Sequence, residues 1–361
     1  MTGRGIDQVL PHPGGPELHE PYVKSARRYV ALAQKVHGPF PIPVDFAYVW
    51  GDALRELEQA APDARIVNLE TSITRSDAYW HGKGIHYRMN PRNGPCLTAA
   101  KIDCCMLANN HVLDWGRAGL DETLATLASL GIKAAGAGAS RAQAEAPAII
   151  DCSGRGRVVV FGFGSETSGI PREWAATESA SGVNLLPDLS SATVRRIAVQ
   201  VHAVKRARDI VLASIHWGNN WGYEIPREQV QFAHALIDDA GVDVVHGHSS
   251  HHAKAIEAYR DKLILYGCGD LLTDYEGITG YEAYRGDLGL MYFPAVDEQT
   301  GQLTRLTMTP TQVRRFRVGH AAREDARWLA SALTRYGVEF RSRAEVDAEG
   351  RLALHWDRSD K

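Results

Sequence analysis

Four histidines fall within one short stretch, His246, His248, His251 and His252, just after the β-branched residues Val242, Val244 and Val245. Such a run reads as a buried strand, and Gly247 allows a sharp exit from it. Imidazoles at a strand end can converge on one point, and imidazole is a common ligand of divalent metals. Three more polar groups stand just past the carboxyl ends of apolar runs: Glu70 after 65–69, Asn110 after 103–107 and His216 after 210–215. A carboxylate can bridge two cations, and an amide oxygen is a neutral ligand. Glu70, Asn110, His216 and the histidines at 246–252 therefore suit a pair of divalent metals. Such a pair, about 3.5–4 Å apart, clamps an oxygen anion and lowers the pKa of bound water to about 7. His111 adjoins Asn110 and can serve as an acid. Asp114, three residues on, can orient its ring, as carboxylates do for catalytic histidines.

Around this set lie groups suited to a substrate. Trp217 and Trp221, in the dense segment Ser214–Glu224, can wall a pocket or stack on a ligand, with core packing as the competing reading. Arg88 can bind a carboxylate or phosphate, or stand as a solvated charge. Asp270 and Asp274 follow Gly267-Cys268-Gly269 and can position a substrate or cap a turn.

The elements that must carry these groups alternate. Helical spacing is expected over 25–36, 50–60, 95–101, 120–130, 189–204, 227–240 and 322–336. Strands are expected over 65–69, 103–107, 132–135, 210–215, 242–245 and 352–356. Hairpins are expected from 148–151 with 158–163 and from 255–259 with 263–266, and 288–293 and 303–310 extend the β part. Alternation of strands and helices predicts an α/β layered domain, in which ligand sites lie at the carboxyl ends of strands. The reading is one domain over 1–315 with a helix–strand appendage over 316–361.

Composition narrows the class. The chain has 361 residues, 44% of them hydrophobic, and a formal charge of −3, so it carries no basic footprint for nucleic acid. No apolar run reaches the roughly 18 residues of a membrane span, and no signal peptide is visible at the N-terminus. Five cysteines without a Cys-x-x-Cys pair fit reduced thiols in the cytoplasm.

In order along the chain stand Asn68-Leu69-Glu70, Asn109-Asn110-His111-x-x-Asp114-x-Gly116, His216-Trp217-Gly218, Gly247-His248-x-x-His251 and Leu263-Ile264-Leu265-Tyr266-Gly267-x-Gly269-Asp270. As a set they resemble the CapA family of capsule and poly-γ-glutamate synthesis proteins, in the calcineurin-like metallophosphatase superfamily, over about residues 1–295. The resemblance implies a four-layer α/β/β/α sandwich with a dinuclear centre of Mn, Zn, Fe, Mg or Ca. It implies Glu70, Asn110, His216, His248 and His251 as ligands and His111 as the acid–base residue. Ser249-Ser250 replace part of the family's His-Pro-His, which leaves His251 and His252 as alternatives. The family's opening Gly-Asp would precede Met1, so the first strand and one metal-binding Asp are expected to be missing. The expected function is a metal-dependent hydrolase acting on a phosphoester, amide or peptide-like substrate. The alternatives are a metal-dependent peptide epimerase and a non-catalytic capsule synthesis protein. The expected partner is a small-molecule or peptide substrate, without nucleic acid or a membrane span.

Overall fold

The computed structural model describes residues 1–357, so the last four residues of the 316–361 segment lie outside the described residues. Residues 2–10 form buried turns. Arg4 holds them in place: its guanidinium bonds both Asp274 carboxylate oxygens, at 2.8 and 2.7 Å, and also reaches Glu20 and the Tyr29 hydroxyl.

The first half contributes helices α1 (Arg27–His37) and α2 (Ala53–Ala60), then strand β1 (Ile66–Asn68). A short parallel pair, β2 (Ser72–Ile73) and β3 (Arg88–Met89), precedes α3 (Pro95–Ala99). Strand β4 (Cys104–Met106), helix α4 (Gly116–Ser129) and strand β5 (Lys133–Ala135) complete it. Strands β1, β4 and β5 form a parallel three-stranded sheet in that order. Period-2 alternation gives each strand two apolar faces. Cys105 and Leu107 meet Leu97, Leu120 and Leu127 of the helices, while Cys104 and Ala135 face the other way.

The next stretch holds β6 (Ala137–Gly138), α5 (Arg141–Glu145), β7 (Ala148–Asp151), β8 (Arg157–Gly164) and β9 (Gly182–Val183). Helix α6 (Ser191–Val204), β10 (Ile210–His216), α7 (Arg227–Ala240), β11 (Val244–His248), β12 (Ile256–Tyr259) and β13 (Lys262–Leu265) follow. The second sheet runs β12-β13-β11-β10-β8-β7. Its helix-facing residues, among them Phe161, Ala213 and Val245, pack on Ile197, Phe232 and Leu236 of α6 and α7. On its other face, Ile150 and Val160 meet Cys104 and Ala135 of the first sheet. Helices, sheet, sheet and helices thus stack as the expected four-layer α/β/β/α sandwich. Helix α7 starts after Pro226 and stops at Gly241, whose φ of 70° is the left-handed cap that glycine adopts without strain.

The hairpins 148–151 with 157–164 and 256–259 with 262–265 pair antiparallel as expected. The strand expected over 242–245 lies at Val244–His248 and so carries two of the histidines itself. The chain ends in a third sheet of β14 (Leu288–Val296), β15 (Leu303–Arg314), β16 (Arg317–His320), β17 (Ser342–Val346) and β18 (Leu352–Trp356), with helix α8 (Arg323–Gly337) against it. β18 pairs with β15, and Leu329 and Leu352 share one core with Val244 and Leu263 of the second sheet. Residues 316–357 are therefore built into the body of the fold.

β1 and β14 are both edge strands. Between them lies a cavity of about 290 Å³, floored by Leu212, Val244 and Leu265 and ending at Glu70, His248 and Asp270. No helix among the described residues is long and apolar enough to cross a membrane.

Candidate metal centre

The first sheet delivers two of the expected groups. Glu70 follows the end of β1, and Asn68 Nδ2 donates to its Oε2 at 3.0 Å. Asn109, after β4, locks the two strand ends together. Its amide donates to Asn68 Oδ1 and to the Leu69 carbonyl, and its Oδ1 accepts from the His111 backbone at 3.1 Å. Asn109 is thus a brace, and its neighbour Asn110 turns its Oδ1 toward the second sheet.

The second sheet delivers the imidazoles. In the parallel register Ser214 lies beside His246 and His216 beside His248. Alternation puts all four on the face toward the first sheet. His216 Nε2 lies 3.2 Å from Asn110 Oδ1 and 3.8 Å from Glu70 Oε1. His216 Nδ1 lies 2.7 Å from His248 Nδ1. Glu70, Asn110, His216 and His248 therefore meet where the two sheets' strand ends face each other.

His111 stands at the side of this group. Its Nδ1 is 2.7 Å from Asp114 Oδ2, which also accepts from the Tyr87 backbone N–H at 2.7 Å. Lys83, from the preceding loop, bonds Asp114 Oδ1 and the Asn110 carbonyl and lies 3.3 Å from His111 Nδ1. Lys83 lies in the irregular stretch before β3. Nothing in its spacing ties it to residues 27 and more positions away.

Beyond the end of β11 the chain turns, and His251 comes back to the site. Its Nδ1 is 3.0 Å from Asp270 Oδ2, and its Nε2 is 3.4 Å from the Tyr275 hydroxyl. His252 points elsewhere, into a cluster with Trp221, Tyr223 and Tyr284. The structure thus brings His251, not His252, beside Glu70 and Asp270. Asp270 joins the site itself, and its place next to the Gly267–Gly269 turn was the available signal.

The aromatic and basic candidates separate. Trp221 is half-buried at the rim, its ring centroid 5.4 Å from that of His251 and stacked on Tyr281 at 4.2 Å. Trp217 lies on the helix side of the sheet, buried in that core, with its indole N–H donated to the Tyr266 carbonyl at 3.0 Å. Its parity with Ala213 and Ile215 places it there. Arg88 is turned away from the histidines: it bonds Ser76 O and Asp77 and lies over the Trp115 ring at 3.8 Å.

Burial sets the electrostatics. It pushes His216 and His248 well below the usual imidazole range and His246 down to about 4. His111 also falls to about 4, since burial, aided by Lys83, outweighs the opposing pull of Asp114. Burial raises Glu70 to about 7, although His251 opposes it. His251 alone moves up: burial would lower it, but Asp270 and Glu70 prevail. The pocket thus collects neutral imidazoles, an amide oxygen and a carboxylate short of positive charge. That donor set fits a divalent cation. Among the described residues no group of three or more His, Cys, Asp or Glu side chains is arranged to hold a metal ion as it stands. The fit is one of donor type and direction.

The comparisons agree with these motifs. The model of the family described as "Bacterial capsule synthesis protein PGA_cap" matches residues 1–275. A probable polyglutamine synthesis accessory protein of Mycobacterium tuberculosis is 47% identical over 341 residues, which are 94% of this chain and 90% of the relative. The PGA biosynthesis protein CapA of Bacillus subtilis is 28% identical over 247 residues, 68% of this chain and 60% of the relative. A solved structure titled as a novel phosphatase, from Mycoplasma pneumoniae, covers 74% of this chain and 92% of its own at 12% identity and a TM-score of 0.44, too slight a likeness to bear on the reaction. Motif order, family match and a relative of near-equal extent lead to one conclusion: the chain belongs to the bacterial capsule synthesis protein family PGA_cap.

Proposed function

We propose that this protein is a metal-dependent hydrolase whose centre is held by Glu70, Asn110, His216, His248 and His251. The observation that carries the reading is the meeting of Glu70, Asn110 and His216 beside the His111–Asp114 pair. Two divalent cations bound there would polarise the bond to be cleaved and strengthen water as a nucleophile near neutral pH.

The chain's own groups do the rest. His111 is neutral at pH 7, its Nδ1–H donated to Asp114, so its Nε2 is free to take a proton and later return it to the leaving group. Asp114 stays ionised: burial opposes this, but His111 and Lys83 outweigh it. Asp270 orients His251 by accepting from its Nδ1. Trp221, stacked on Tyr281, puts an aromatic group at the rim beside His251, where a substrate chain would pass. The name of the Mycobacterium tuberculosis relative refers to polyglutamine synthesis, which makes an amide-linked polymer the first substrate class to try beside a phosphoester.

The test is hydrolysis by purified protein reconstituted with Mn²⁺ or Zn²⁺. Release of phenol from an aryl phosphate, or of glutamate from a γ-linked glutamate oligomer, that is lost in His111→Ala supports the reading. No release of either from a metal-loaded protein overturns it.

A further inference from the structure

Ser214 and His246 stand one step behind the centre. Ser214 is fully buried. Its Oγ lies 2.8 Å from His246 Nδ1 and 3.0 Å from His248 Nε2. A hydroxyl has one hydrogen, so it can donate to one of these rings while accepting from the other. The other nitrogen of His248, Nδ1, faces His216 at 2.7 Å. In a neutral imidazole one nitrogen carries the hydrogen and the other the lone pair. The direction of this one hydroxyl therefore decides which nitrogen of His248 is a lone-pair donor.

We propose that Ser214 and His246 are positioning residues that hold His248 as its Nε2–H tautomer, with the Nδ1 lone pair turned to the centre. The order is His248 Nε2–H to Ser214 Oγ, then Ser214 Oγ–H to His246 Nδ1. The inference rests on reading the site as a metal centre. It gives His246 a part other than ligation, although it sits within the histidine cluster. The strand register explains the arrangement: Ser214 is the cross-strand neighbour of His246 and lies one alternation from His216. No other described side chain bonds to the Ser214 hydroxyl. A metal-ligating imidazole commonly has its second nitrogen fixed in this manner, and loss of such a partner typically costs about 10–100-fold in metal affinity.

The experiment is ring-nitrogen NMR of the full chain labelled with ¹⁵N-histidine, metal-free and with Zn²⁺, together with Zn²⁺ affinity by chelator competition. Wild type should show the His248 hydrogen on Nε2. His246→Ala leaves Ser214 free to donate to His248, so the hydrogen should move to Nδ1. Zn²⁺ affinity should fall about 10–100-fold in Ser214→Ala and His246→Ala and recover in Ser214→Thr, which keeps the hydroxyl. A wild-type His248 protonated on Nδ1 would overturn the proposal, as would a His246→Ala protein with unchanged tautomer and affinity. If wild type binds no Zn²⁺, the metal reading fails, and the tautomers of the metal-free proteins still decide the role of Ser214. A Ser214→Ala protein that does not fold leaves the decision to His246→Ala and Ser214→Thr.

Discussion

His216 and His248 present their Nδ1 atoms to each other at 2.7 Å across neighbouring parallel strands. Two neutral imidazoles at that distance share a single hydrogen, and both are pushed well below the usual range by burial. The pair is therefore poised to accept a cation rather than a second proton. His216→Ala and His248→Ala are each expected to at least halve the divalent metal retained per chain, measured by elemental analysis after chelator-free purification. Wild-type content in both variants would remove the pair from the centre.

The same burial makes metal-free stability depend on pH. His111 and His246 have folded values of about 4, against about 6.5 in an unfolded chain. Their folded values are depressed, so the unfolded chain binds the extra protons. The stability they permit is complete above about pH 6.5 and is lost as pH falls toward 4. Glu70, raised to about 7, and His251 act in the opposite sense, but the depressed His111, His216, His246 and His248 outnumber them, so the urea midpoint with chelator present should drop between pH 7 and pH 5. Saturating Zn²⁺ should raise the midpoint at pH 7, because it binds the folded chain preferentially. A flat profile across this window would contradict the buried, neutral state of the imidazoles.

Asp114 is fully buried and serves His111, Lys83 and the Tyr87 backbone at once. Asp114→Asn keeps the shape and removes the charge. Turnover should fall on the order of 100-fold, the scale of general acid–base catalysis, with metal content unchanged. Loss of metal instead of turnover would make Asp114 a support of the ligands rather than of His111.

Arg4 joins the N-terminal turns to Asp274 and Glu20, all three buried. Removing Arg4 leaves two buried carboxylates without their cation, at a cost of roughly 3–5 kcal/mol. Arg4→Met should lower the urea-extrapolated stability by that order. A change below about 1 kcal/mol, the value of an exposed pair, would mean that water reaches the two carboxylates.

The layered fold was legible because most strands and helices here obey their own periodicities. The helices on 27–37 and 227–240 bury the stripe that their spacing specifies. Glu70, Asn110 and His216 were legible as a group because each follows an apolar run, and strand ends gather on one side of such a sheet. Trp217 shows how a finer use of the same rule separates neighbours: it differs in parity from His216, and that difference carries it to the helix face. Lys83 was not legible in this way, and Asp270 was legible only as a polar residue after a glycine turn. They sit in loops, and only tertiary packing brings them to Asp114 and His251. The path of β17 was missed because its sequence, Ser-Arg-Ala-Glu-Val, shows little apolar signal outside its pairing with β18.

The cavity between β1 and β14 has a bearing on how the protein survives at high concentration. An unpaired strand edge is a template for another chain, and here two of them line one cavity together with Trp50 and Leu57. The two edges share that cavity, so each is less accessible than an edge on the outer surface. Local loosening of residues 288–296 would uncover both together. Aggregation should therefore follow the rate of that opening, and a crosslink holding β14 to the second sheet should slow it without any change to the outer surface.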